Sequence, residues 1–128
     1  MKFEMTENGF ETETSFGTLQ ISANDEFGFR PYQLLVSSIA VCSGGVMRKI
    51  LERKRMPADH IAIEVKEVVR NEEIANRVEK IHLHFIIDGK MIEDEKMAKI
   101  IEVTEKNCSM FQSVKDSIQV VSTYEFSQ

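Results

Sequence analysis

An uncharged segment at residues 34–47, LLVSSIAVCSGGVM, lies between the only two prolines of the chain, Pro31 and Pro57. Proline is tolerated in the first turn of a helix and disfavoured further inside, so the prolines predict one helix of about 25 residues. The segment is apolar or small on every side, which is typical of a helix buried all round. It has 14 residues, whereas a membrane-spanning helix needs about 20. The sequence therefore predicts a core helix and no membrane partner.

The composition bounds the class of protein. The chain has 128 residues, 42% of them hydrophobic, which is enough for one domain with its own core, and we expect that domain to span residues 1–128. The net charge of −5 argues against a nucleic-acid partner. The N-terminus lacks an apolar signal core, and two cysteines are too few for a disulfide scaffold. We therefore expect a cytoplasmic protein with reduced thiols.

The rest of the chain predicts strands before and after further helices. Turn signals such as Asn8-Gly9 separate short strands, and strict alternation of apolar residues later predicts a hairpin with one apolar face. The predicted elements are two or three antiparallel strands within 1–23, a loop at 24–30, the long helix, strands at 61–66 and 80–87, a helix at about 93–107, a helical turn at 109–114 and a strand at 118–126. This order predicts an α+β fold with an antiparallel sheet.

The two cysteines have different predicted surroundings. Cys42 lies within the apolar half of the long helix, where the plain expectation is an inert buried thiol with a raised pKa. Cys108 lies at a predicted helix break and starts a helical turn, where backbone N–H dipoles favour the thiolate. Two thiols 66 positions apart can meet only through the fold.

Other candidate residues carry weaker signals. His82 and His84 share one face of a strand and could be two metal ligands, but no further ligands with readable spacing accompany them, so we expect a polar strand face and no metal. Phe27 and Phe29 lie in the loop before the long helix and could line a pocket. The small residues 43–45 would let another backbone pack close, as in a tight helix crossing.

At its cysteines the sequence resembles the OsmC/Ohr family of osmotically inducible and organic-hydroperoxide-resistance proteins. The matching block is RPYQLLVSSIAVC, a helix that opens at a proline and reaches a cysteine eleven positions later. The helix continues to a basic run and a proline, and a hairpin, a helix, a second cysteine and a final strand follow. This order matches the family over essentially the whole chain.

The resemblance implies an OsmC-like fold, in which antiparallel sheets wrap around central helices in an intertwined homodimer with active sites at the interface. It implies a two-cysteine hydroperoxide reductase acting in the oxidative stress response. Cys42 matches the peroxidatic cysteine and Cys108 the resolving cysteine, with organic or inorganic peroxide as substrate. The implied reaction requires no cofactor and no metal, only an external thiol or dithiol reductant.

The sequence departs from the family pattern around the cysteines. Tyr32 stands where the family has a glutamate, Ser109 stands where it has a proline, and no arginine precedes Arg30. Arg30 could replace the missing cation from a partner chain, which makes Arg30 and Tyr32 candidate residues of the substrate pocket. The departures leave two alternatives open. The chain could bind a small apolar ligand or sense thiol stress at the dimer cleft, or it could be a purely structural dimer module.

Overall fold

The computed structural model describes residues 1–127, and they form two compact units, one of residues 1–37 and one of residues 38–127. The first unit contains three short strands, β1 (Glu4–Met5), β2 (Phe10–Glu13) and β3 (Thr18–Ile21). They form one antiparallel sheet in chain order. The prediction of two or three antiparallel strands in this part of the chain is therefore confirmed. The prediction of a single domain stays a prediction.

Helix α1 (Pro31–Arg53) begins in the first unit and continues into the second. It starts at Pro31, as predicted, because proline has no amide hydrogen to lose in a first turn. It ends four residues before Pro57 at a Schellman motif, in which Met56 N–H donates to the Leu51 carbonyl and Arg55 N–H donates to the Glu52 carbonyl. Arg55 takes the left-handed conformation, with φ of 60°, that glycine more often occupies at this position.

The second unit adds the remaining elements. They are strands β4 (His60–Asn71) and β5 (Arg77–Asp88), a 3₁₀ turn (Asp94–Lys96), helices α2 (Met97–Asn107) and α3 (Ser109–Val114), and strand β6 (Gln119–Phe126). The hairpin, the two later helices and the last strand therefore lie where the sequence predicts them. Together with α1 they confirm the α+β class.

The sheet of the second unit has the order β4-β5-β6 and is mixed. Strands β4 and β5 are antiparallel, but β6 runs parallel to β5, with Ile81 beside Val120 and Phe85 beside Tyr124. The prediction of a purely antiparallel sheet is wrong for this pair. A parallel neighbour needs a long crossover connection, and the segment that holds α2 and α3 supplies it.

The core of the second unit lies between one face of β5 and the helices. Alternate residues of β5 are buried, as the period of two predicts, and residues of α1 and α2 are buried with them. The residues with an exposed fraction of 0–1% are Ile39, Met47, Leu51, Ile81, Leu83, Phe85, Ile87, Met97, Ile100 and Cys108. A cysteine is thus part of the most deeply buried set.

Helix α1 is buried on one face only. Ile39, Met47 and Leu51 are fully buried, but Val41 is 69% exposed, and Gly45 lies on the same open face. The prediction of a helix buried on every side is therefore wrong for the single chain. By length and composition α1 could also cross a membrane, with a mean hydropathy of 1.5, a property that core helices of soluble proteins share.

Candidate active site

Cys42 lies in the middle of α1, and its side chain is half-buried. Its sulfur is 3.7 Å from the Ser109 hydroxyl, which belongs to the first residue of α3. The start of α3 thus faces the sulfur, and this relation joins parts of the chain 67 positions apart. The expectation of an enclosed Cys42 is wrong, because the thiol lies at the border between the buried and the open face of α1.

Cys108 lies between α2 and α3 and is fully buried. Its backbone is extended, which ends α2, and its sulfur accepts a hydrogen bond from Phe111 N–H at 3.3 Å, which caps α3. Ser43 donates a second hydrogen bond to the same sulfur at 3.4 Å. The predicted helix break at Cys108 is confirmed, and this break directs the thiol toward α1.

The fold brings the two thiols to the same place, between α1 and the start of α3. Both cysteines are free thiols, and each affects the pKa of the other, since Cys108 lowers that of Cys42 and Cys42 raises that of Cys108. Each cysteine is also followed directly by a serine whose hydroxyl contacts the sulfur of the other cysteine. The sequence signal for this arrangement is the Cys-Ser pair that occurs at both positions. Sequence reasoning missed its meaning, because it treated Ser43 as a packing residue and Ser109 only as a departure from the family pattern.

The pKa of Cys42 lies below the usual value for a cysteine. The main cause is the hydrogen bond from the Met110 backbone N–H, and the Cys108 thiol and Ser109 add to it, while partial burial opposes it. Hydrogen bonds to the charged form favour the thiolate. Within the part of the chain that the structure describes, hydrogen-bond donors and not cations lower this pKa. The raised pKa expected for Cys42 is therefore wrong.

The pKa of Cys108 is raised, chiefly because burial removes the thiolate from water. The hydrogen bonds from Ser43 and Phe111 favour the thiolate, but burial and the neighbouring Cys42 outweigh them. The start of α3 therefore favours the Cys108 thiolate through the Phe111 N–H, as the sequence predicts, but burial has the larger effect and the net shift of the pKa is upward. The backbone N–H groups of Ser109 and Met110 favour the thiolate of Cys42.

Arg30 and Tyr32, the other predicted site residues, lie in the first unit, where α1 starts. The guanidinium of Arg30 lies over the ring of Tyr32, 4.9 Å from its centroid, in a cation–π contact. Their assignment to a substrate pocket stays a prediction.

The two histidines of β5 are hydrogen-bonded to neighbouring side chains. His82 Nε2 and His84 Nδ1 are each 2.7 Å from the Thr123 hydroxyl, and His84 Nε2 is 2.8 Å from Glu125 Oε1. Among residues 1–127, no group of three or more His, Cys, Asp or Glu side chains could hold a metal ion.

An open groove of about 450 Å³ lies beside α1 in the second unit. Its walls are the open face of α1 and the start of β4, and it includes Val41, Gly45 and Arg48 on one side and His60 and Ile61 on the other. Sequence reasoning did not predict this groove, although the Gly44-Gly45 pair that forms part of it was noted as a surface for close approach. The lining of the groove combines apolar side chains with the charged side chains of Arg48 and Asp59.

The fold and the thiol pair define a class of small α+β proteins. In this class one thiol lies in the long helix and the other lies at the break between two later helices. The sequence profile described as OsmC-like protein matches residues 23–123, and the chain belongs to that family. It is 28% identical to Protein YhfA of Escherichia coli K12 over 97 residues, which cover 74% of this chain and 71% of that protein.

Solved structures agree with the assignment. A hypothetical protein from Aquifex aeolicus superposes with a TM-score of 0.85 at 25% identity, over 98% of this chain and 93% of the other. The organic hydroperoxide resistance protein OhrB of Bacillus subtilis superposes with a TM-score of 0.65 at 15% identity, over 98% of each chain. The OsmC-like fold predicted from the sequence is therefore confirmed.

Proposed function

We propose that this protein is a thiol-dependent hydroperoxide reductase in which Cys42 attacks the peroxide and Cys108 resolves the product. The observation that carries this proposal is the placement of two free thiols of opposite character on the two sides of one junction, where Ser109 lies 3.7 Å from Cys42 Sγ and Ser43 lies 3.4 Å from Cys108 Sγ. The pKa of the half-buried Cys42 thiol is lowered by hydrogen bonds, and the pKa of the buried Cys108 thiol is raised by burial. A thiolate nucleophile beside a protonated thiol is the arrangement that a two-cysteine peroxidase needs.

The proposed reaction consists of an oxidation, a condensation and a reduction. The Cys42 thiolate attacks the terminal peroxide oxygen, the O–O bond breaks, and the leaving alkoxide takes up a proton to become an alcohol. Cys42 is then a sulfenic acid. The Cys108 thiol attacks that sulfur, and its proton leaves with the hydroxide as water. Two equivalents of an external thiol, or one dithiol, reduce the disulfide by thiol exchange. No step requires a metal or cofactor.

The comparisons support a peroxide-related role for the family. The reaction mechanism is proposed from the two thiols alone. OhrB is a hydroperoxide resistance protein by name, but its 15% identity to this chain supports the fold alone. The catalytic assignment therefore depends on Cys42 and Cys108. The reductive step agrees with a cytoplasmic location, where thiols are kept reduced.

A homodimer would explain the open face of α1. Val41 is 69% exposed, and an added Cβ at Gly45 meets no atom within 4 Å. An exposed valine beside a glycine on a long apolar helix favours a second helix packed closely against it. We propose that a second copy covers this face. In such an intertwined dimer Arg30 and Tyr32 of one copy would belong to the substrate pocket of the other.

The test is peroxide consumption with dithiothreitol as reductant. The wild type should consume cumene hydroperoxide, and Cys42→Ser should lose nearly all of this activity. Without dithiothreitol, Cys108→Ser should consume one equivalent of peroxide and stop at the Cys42 sulfenic acid, and with dithiothreitol it should turn over only as fast as the external dithiol reduces that acid directly. Consumption by Cys42→Ser at the wild-type rate would refute the proposal.

The groove beside α1 favours a second candidate, a catalytically weak protein that binds a small apolar ligand or senses thiol stress. About 450 Å³ of partly apolar space is enough for a small ligand, and Cys42 is not among the residues of its wall. The two candidates differ in the behaviour of Cys42. A ligand-binding protein would show an ordinary Cys42 pKa near 8.5 and no disulfide after peroxide treatment.

A further inference from the structure

The serines that follow the two cysteines are placed crosswise. Ser109 follows Cys108, and its hydroxyl is 3.7 Å from Cys42 Sγ. Ser43 follows Cys42, and its hydroxyl donates to Cys108 Sγ at 3.4 Å. Each sulfur is thus contacted by a hydroxyl from the segment that carries the other sulfur.

The two hydroxyls differ in burial, and so do the two thiols that they contact. Ser109 is exposed at the start of α3, on the side where Cys42 is accessible. Ser43 is only 3% exposed and lies with the fully buried Cys108. A hydroxyl rotates freely and can donate to a thiol or a thiolate, and hydrogen bonds to a charged acceptor are the stronger ones. Each hydroxyl is therefore able to stabilise negative charge on the sulfur that it contacts.

We propose that Ser109 and Ser43 are positioning residues for two successive steps. Ser109 stabilises the Cys42 thiolate, whose electron pair attacks the peroxide oxygen as the O–O bond breaks and the departing alkoxide is protonated. Ser43 stabilises the Cys108 sulfur as it gives up its proton and bonds to Cys42, while hydroxide leaves and forms water with that proton. This assignment rests on the proposed function, since it divides that reaction between the two serines.

A purely structural role is the alternative. Ser109 could serve only as the first residue of α3, and Ser43 could serve only to fill space beside Cys108. In that case each alanine variant would change the stability of the protein without changing the chemistry of either sulfur. Measurements that follow a single sulfur separate the two roles.

The first experiment follows Cys42 without peroxide. The rate of Cys42 alkylation by iodoacetamide is measured against pH in the full chain, with each site quantified by peptide mass. Ser109→Ala should slow this alkylation about three- to tenfold at pH 7 and move the profile to higher pH, because the thiolate loses a hydrogen bond. Ser109→Thr, which keeps the hydroxyl, should restore the wild-type profile. Ser117→Ala, at an exposed position between α3 and β6, is the control.

The second experiment follows Cys108. After one equivalent of cumene hydroperoxide, quenched samples report conversion of the Cys42 sulfenic acid to the disulfide. Ser43→Ala should slow this closure about three- to tenfold, a larger effect than the one that it has on Cys42 alkylation. Ser109→Ala should slow Cys42 alkylation more than it slows conversion of the sulfenic acid to the disulfide.

The outcomes separate the inference from the peroxidase itself. A wild-type alkylation profile in Ser109→Ala overturns the role of Ser109, and wild-type closure in Ser43→Ala overturns that of Ser43. If peroxide oxidises neither cysteine of the wild type, the proposed function and the role of Ser43 fall together. The alkylation profile still decides the role of Ser109, because it requires no peroxide.

Discussion

The Ser43 hydroxyl donates a hydrogen bond to the sulfur of Cys108 across 65 positions of the chain. Ser43 belongs to the central helix α1, and Cys108 belongs to the break between α2 and α3. This bond therefore holds the buried Cys108 thiol against the helix that carries Cys42. Formation of a disulfide between Cys42 and Cys108 should depend on this contact between α1 and the break after α2.

The pH dependence of the two thiols should differ. Hydrogen bonds lower the pKa of Cys42, so its thiolate persists below the free-thiol reference of about 8.5 and is lost only as the pH falls through the lowered value. Burial raises the pKa of Cys108, so its thiolate forms above that reference. Alkylation of each cysteine against pH checks this order. A Cys108 that reacts at lower pH than Cys42 would contradict it.

Removal of the resolving thiol should trap the intermediate. In Cys108→Ser, Cys42 keeps the Ser109 and Met110 donors, so it should still react with peroxide. Its sulfenic acid should then persist and add one dimedone per chain, whereas the wild type should add little because the disulfide forms first. Equal dimedone addition to both proteins would exclude Cys108 as the resolving residue. Cys42→Ser, which should add none, is the control.

The adjacent glycines of α1 give a test of the proposed dimer. An added Cβ at Gly45 meets no atom of its own chain, so Gly45→Ala should stabilise an isolated chain by about 0.5–1 kcal/mol. If a second copy packs on this face, the methyl group should instead weaken association, by about three- to tenfold in Kd. Sedimentation velocity over a concentration series measures the effect, and we expect weakened association.

Gly44→Ala is the matched variant for this experiment. Its Cβ would lie 2.5 Å from Ile63 Cδ1 of the same chain, so Ile63 must shift and the cost falls on folding rather than on association. A wild-type protein that remains monomeric at every concentration, with Gly45→Ala simply more stable, would contradict the proposed dimer.

Burial of Glu105 should make stability depend on pH. Burial raises the pKa of Glu105, although Ser122 donates to its carboxylate and opposes the shift. The folded state therefore favours the protonated acid, and this contribution is complete below the unfolded pKa of about 4.3 and lost as pH rises through the folded value. Glu105→Gln should thus raise Tm at pH 7 by about 1–3 °C, and this gain should shrink toward pH 4.

Glu102→Gln is the control on the same helix. Lys99 and Lys106 lower the pKa of Glu102, so its substitution should leave Tm unchanged or slightly reduced at pH 7. An equal gain for both variants would show that general charge repulsion, rather than burial of Glu105, limits stability.

Local patterns predicted most of the fold. The proline at the start of α1, the alternation in β5 and the acidic start before α2 depend on neighbours in sequence, and their elements formed as predicted. The direction of β6 did not follow from its sequence, because its partner β5 is joined to it through two helices. The end of α1 was also less predictable, since Arg55 takes a conformation that usually signals glycine.

The sequence singled out both cysteines, and the resemblance gave each a role that stays a prediction. The expected order of their pKa values was wrong. The pKa of each thiol was predicted from the residues next to it in sequence. The pKa of Cys42 is instead lowered by Met110 and Ser109, which belong to α3 and are distant from Cys42 in sequence. Contacts of this kind arise only when α3 and α1 meet in the folded chain.

The most direct test of the central claim is the intact mass after brief treatment with one equivalent of cumene hydroperoxide, followed by a peptide map. We predict the loss of two hydrogens and a single link between Cys42 and Cys108. An unchanged mass with both thiols intact would contradict the two-cysteine mechanism, and the groove beside α1 would then be the site to screen for ligands.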